Sequence, residues 1–75
     1  IMHKLDLHNI SHAEAEILID NFIIKYYENL PIEIITGNSI PMIDILKMIT
    51  EKHDLRMSPS HLNNLGSYII NHKLK

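Results

Sequence analysis

Twice in 75 residues a short apolar run leads within a few positions to a serine suited to cap a helix. This repeated strand-to-helix punctuation narrows the possible folds more than any other feature. Residues 3–8 alternate, with Leu5 and Leu7 on one side and Lys4, Asp6 and His8 on the other. That is the period of a half-buried strand. Ser11 and Glu14 then match a capping box. Ala15, Leu18, Ile19, Phe22 and Tyr26 supply an apolar stripe that predicts a helix to about Tyr27 or Glu28. Ile17, Ile23 and Ile24 widen the stripe, a surplus that either wraps the sheet edge or docks on a partner.

Asn29-Leu30-Pro31 breaks the helix. Residues 32–36 read as a second strand with Ile32 and Ile34 inward, and Gly37-Asn38-Ser39 as a loop. Ser39 caps a second helix that tolerates Pro41 in its first turn and runs to about His53. Met42, Ile45, Leu46 and Ile49 form its buried stripe. Residues 55–58 read as a third strand stopped by Pro59, residues 61–65 as a loop, and residues 67–72 as a last strand opened by Gly66. The order is β-α-β-α-β-β in one domain over residues 1–75. Helical crossovers imply parallel pairing of the first strands. The expected fold is α/β: a two-layer sandwich with a four-stranded mixed sheet and both helices on one face, leaving the other face open.

Composition limits the function classes. No cysteine is present, which removes disulfides and thiolate metal sites and fits a reducing, cytoplasmic compartment. Apolar residues make up 45 % of the chain, yet no run has the length of a membrane span, because Asp20 and Asn21 interrupt the longest one. No membrane partner is expected. Net charge is −2 with histidines neutral, so any nucleic-acid surface must come from local clustering rather than bulk charge. The six histidines show no zinc-like spacing. No metal and no cofactor are expected. Ile1 ahead of Met2 points to an added residue or to an excised domain, and the chain is expected to be a monomer or a domain of a larger protein.

The first strand carries Leu5-Asp6-Leu7-His8, and the second strand leads into Thr36-Gly37-Asn38-Ser39. Together these resemble the LDxH motif and the HGxG loop of the Smr (small MutS-related) family, in the branch where threonine replaces the loop histidine. Asn64-Leu65-Gly66 is similar to the Asn-x-Gly that precedes the last strand in that branch. The resemblance implies a fold similar to the C-terminal domain of bacterial translation initiation factor three. It also implies nucleic-acid binding, with RNA or DNA endonuclease activity in some members and a link to translation or mRNA quality control. RNA is favoured over DNA, and the ribosome is a candidate partner. Asn9 stands where the family has glycine after LDxH, and Ser39 replaces the second glycine of the loop. Asn9 and Asn38 are tolerated at positive φ and are expected to preserve the turns.

Asp6 and His8, two apart on one strand, are expected to share the face opposite Leu5 and Leu7. The loop of residues 36–39 leaves the end of a neighbouring parallel strand, where ligands favour binding in open α/β sheets. The N–H groups of the second helix suit a phosphate there. The expected catalytic pair is His8 as general base or acid, with Asp6 orienting it or assisting proton transfer. The expected nucleic-acid-binding residues are Lys4, Thr36, Gly37, Asn38, Ser39, Arg56 and Tyr68, the last stacking a base if it points outward. Each has a plainer reading: Asp6-x-His8 as a solvated face, residues 36–39 as a turn and cap, Arg56 as a solvated charge, Tyr68 as packing. A catalytically inactive protein- or ribosome-interaction domain is the alternative function.

Overall fold

A computed structural model describes residues 1–74. The chain runs β1 (Lys4–Asp6), α1 (His12–Lys25), a 3₁₀ turn (Tyr27–Asn29), β2 (Ile32–Ile35), α2 (Ile40–Lys52), β3 (Leu55–His61) and β4 (Asn64–His72). The four strands form one mixed sheet in the order β1-β2-β4-β3. β1 and β2 run parallel with Leu5 opposite Ile34, as a helical crossover requires. β4 returns antiparallel between β2 and β3, so β1 and β3 are the two edges.

Both helices start at their serines. The Ser11 hydroxyl accepts the Glu14 N–H at 3.2 Å, and the Ser39 hydroxyl accepts the Met42 N–H at 3.3 Å. Each satisfies an amide that has no partner within its own helix. Pro41 sits in the first turn of α2, where its missing N–H costs nothing.

The helices pack together on one face of the sheet. Ala15, Ile19 and Ile23 of α1 and Met42, Leu46 and Ile49 of α2 bury against Leu7, Ile32, Ile34, Leu55, Tyr68 and Ile70. Burial of each large aliphatic side chain contributes about 1.5–3 kcal/mol, and a chain this short depends on nearly all of them. The opposite face follows from register. Directly paired residues share a face, so Lys4 lies beside Glu33, Glu33 beside Ile69, Ile35 beside Ser67, and Arg56 beside Asn71. This face carries no helix.

Four local expectations change. α1 ends at Lys25 and the chain tightens into the 3₁₀ turn, so Tyr26 lies at the helix terminus. Ile23 is a core residue; only Ile17 and Ile24 of the surplus remain exposed, at 63 % and 59 %. Pro59 does not stop β3, because an edge strand tolerates a residue that cannot donate to a ladder. β4 begins at Asn64 rather than after Gly66, and pairs Asn64 with His61 across a two-residue turn. Among the described residues, no helix is long and apolar enough to cross a membrane.

Candidate functional site

The parallel pairing of β1 and β2 places their C-terminal ends side by side, and the Leu7 N–H continues the ladder to the Ile35 carbonyl at 2.9 Å. The two motifs read from the sequence therefore meet at one end of the sheet. Their side chains are deployed differently from expectation.

β1 ends at Asp6, so His8 does not sit on the strand. It lies in a turn closed by the Ile10 N–H donating to the Leu7 carbonyl at 3.1 Å. Asn9 adopts φ 60°, the left-handed conformation that asparagine tolerates better than most residues. Asp6 Oδ1 accepts the backbone N–H of His8 at 2.9 Å. Asp6 thus shapes the turn that carries His8 instead of bonding to its ring. Both side chains are exposed.

Thr36 is buried, and its hydroxyl donates to the Gly37 carbonyl at 2.8 Å, with the Gly66 carbonyl 3.4 Å away. The N–H groups of Thr36 and Gly37 both go to the Gly66 carbonyl, at 2.9 and 3.0 Å. Gly37 takes φ 69°. Ser39 is occupied as the helix cap. Of this loop, Asn38 presents an exposed side chain, and it does so without positive φ.

Two expected residues lie elsewhere. Arg56 is on β3, separated from β1 by two intervening strands, about 14 Å at ordinary strand spacing. Its guanidinium donates to the His72 carbonyl at 2.9 Å, at the sheet end opposite the loop. Tyr68 points into the helix layer and is a core residue, because its register partner Ile34 lies on the apolar face. It cannot stack a base on the open face.

The open face holds a hollow of about 450 Å³ lined by Lys4, Glu33, Ile35, Gly37, Asn38, His61, Asn64, Gly66 and Ser67. Glu33 is a largely buried charge in its wall, with 11 % of its side chain exposed. Ser67 donates its hydroxyl to Glu33 Oε2 at 2.5 Å, and the Ser60 hydroxyl lies 2.9 Å from that of Ser67. The Lys4 ammonium is 3.6 Å from Glu33 Oε1. The hydroxyls of Ser67 and then Ser60, with Lys4 behind them, hold the Glu33 carboxyl below the usual carboxylate range against the opposing effect of burial. The Asn64 side-chain oxygen accepts the Gly66 N–H at 2.8 Å and stiffens the neighbouring wall.

Of this hollow, sequence reasoning named Lys4, Gly37 and Asn38 as binding residues, singled out Asn64 and Gly66 only as part of a motif, and missed Glu33, Ile35, His61 and Ser67. One signal was present: Glu33 is a lone charge between Ile32 and Ile34, on the side opposite both. The insertion of β4 beside β2, which supplies Ser67 and Asn64, follows from no local pattern. Among the described residues, no group of three or more histidine, aspartate or glutamate side chains is placed to hold a metal ion. No family model matches this chain, and neither does any curated protein or solved structure.

Proposed function

We propose that this domain binds single-stranded RNA along the open face of its sheet, at the end where β1 and β2 terminate. The observation that carries the reading is the parallel pairing that brings the His8 turn and the Asn38 loop to the same sheet end, where the loop lines the polar hollow. The start of α2 directly after that loop supports it through the positive end of the helix dipole, the Met42 amide itself being taken by the Ser39 cap. The resemblance of Leu5-Asp6-Leu7-His8 to the Smr motif points the same way.

The stronger form of the proposal is cleavage. The RNA 2′-hydroxyl oxygen attacks the adjacent phosphorus and gives its proton to His8. The bond from phosphorus to the 5′-oxygen breaks, that oxygen takes up a proton from water, and a 2′,3′-cyclic phosphate remains. Neither a metal nor an outside nucleophile enters this scheme. The second reading, a catalytically inactive protein- or ribosome-interaction domain, is favoured by one observation. The Gly37 N–H is already bonded to Gly66 and is not available to stabilise a developing phosphate charge.

Fluorescence anisotropy with labelled single-stranded RNA tests binding. The expected result is saturable binding that weakens as salt rises. Absence of binding, or affinity indifferent to salt, would overturn the proposal. Cleavage is read on denaturing gels, where His8→Ala should slow the reaction by about 10²-fold or more. Binding without cleavage selects the inactive reading.

A further inference from the structure

We infer that the hollow on the open face receives a nucleobase rather than a phosphate, and that it prefers guanine, read by the carboxylate of Glu33. This rests on the RNA-binding reading above and names the chemistry of the same surface.

Charge decides between phosphate and base. Among the described residues, the one carboxylate and the one ammonium lining the hollow, Glu33 and Lys4, lie 3.6 Å apart and largely cancel. A phosphate seated here would meet a partly buried carboxylate with the nearest cation already engaged. A neutral base avoids that repulsion. Ile35, half-buried on the same face, offers aliphatic surface to the flat side of a ring.

Hydrogen bonding decides between bases. An ionised carboxylate only accepts, and its two oxygens offer about four acceptor positions. Ser67 occupies one on Oε2 with the Ser60 hydroxyl behind it, and Lys4 stands beyond hydrogen-bond distance of Oε1, so even with both serines counted two of the four positions stay open on a carboxylate that lines the hollow. Such a group selects an edge with two adjacent N–H donors. Guanine has that edge in its ring N1–H and its exocyclic amine. Adenine and cytosine set their amine beside a ring nitrogen that repels a carboxylate, and uracil has a single N–H between two carbonyls. Because the Asn64 oxygen is bonded to Gly66, its NH₂ is the group left to donate, which suits the guanine carbonyl.

The test is anisotropy with the whole 75-residue chain and three octamer RNAs: all uridine, uridine with one central guanosine, and the same with inosine. Inosine keeps the ring N–H but lacks the exocyclic amine. Guanosine is expected to tighten binding at least tenfold over the all-uridine octamer, and inosine to lose most of that gain. Glu33→Gln keeps an acceptor for Ser67 and should collapse the guanosine-to-uridine ratio toward one, with circular dichroism confirming the fold. If that variant does not fold, the inosine comparison decides alone. Equal affinity for the three octamers, or inosine equal to guanosine, would overturn the inference and leave RNA binding standing. No binding to any of them would overturn both.

Discussion

Gly37 donates its backbone N–H to the carbonyl of Gly66 at 3.0 Å, and these are the only two glycines in the chain. They meet at the wall of the hollow for different reasons. Gly37 has φ 69°, where a side chain is strained although nothing lies within 4 Å of the position its Cβ would take. At Gly66 the constraint is space: a Cβ would stand 3.3 Å from the Cα and carbonyl carbon of Gly37 and 3.1 Å from the Asn64 side-chain oxygen. Gly66→Ala should therefore cost about 1–3 kcal/mol, as overpacking does. Gly37→Ala should cost about 1–2 kcal/mol from left-handed strain, and Gly37→Asn less. Urea denaturation midpoints read all three, and a Gly66→Ala protein as stable as the parent would contradict the close approach.

Ile23 and Ile24 are sequence neighbours with opposite surroundings, fully buried and 59 % exposed respectively. Ile23→Ala should lose about 2–5 kcal/mol through lost contact and a residual cavity. Ile24→Ala should stay within about 0.5 kcal/mol of the parent. Equal losses in thermal or urea unfolding would mean that α1 is rotated relative to the sheet.

Asn9 holds the turn that carries His8 at φ 60°. Asn9→Gly should leave stability nearly unchanged, whereas Asn9→Val should lower it by about 1–2 kcal/mol, because a branched side chain resists this conformation. If His8 transfers a proton in RNA cleavage, the valine variant should also slow cleavage. A variant that is unstable yet cleaves at the parental rate would separate the turn from the chemistry.

Asp20 of α1 clasps the end of α2, with its Oδ1 2.6 Å from His53 Nε2 and 3.1 Å from Lys52 Nζ. The hydrogen bond from His53, then that from Lys52, holds the Asp20 carboxyl below its ordinary value of 3.8. A depressed folded value stabilises fully above the unfolded value and loses that contribution as pH falls through the folded one. Asp20→Asn should therefore be less stable than the parent near neutrality, by no more than about 1 kcal/mol for a carboxylate this accessible. The gap should close as pH drops below about 4. Unfolding curves of both proteins from pH 7 to pH 2 check this, and a gap that persists at pH 2 would assign the effect to packing.

Much of the fold was legible because its signals are local. Capping serines, the period of Ile32-Glu33-Ile34 and the breaks at Pro31 and Gly37 depend on neighbours within one turn or one strand, so the order β-α-β-α-β-β could be read directly. Pro59 misled because its cost depends on whether a strand is central or at an edge, a property of the sheet and not of the segment. Tyr68 misled because its facing was settled by register against Ile34, more than thirty residues away.

By itself the sequence determined which segments are helix or strand, that the sheet has one apolar face, and that the Asp6-His8 segment and the Gly37-Asn38 loop lie at neighbouring strand ends. Only tertiary structure decided what those groups do. The Asp6 carboxylate is turned to the backbone of His8, the Gly37 amide is taken by Gly66, and the polar hollow forms around Glu33 and Ser67 instead. The physical reason is that backbone amides and carboxylates bond to the nearest available partner: for Asp6 that is the amide two residues on, whereas for Gly37 and Glu33 it is a group that β4 brings from the far end of the chain.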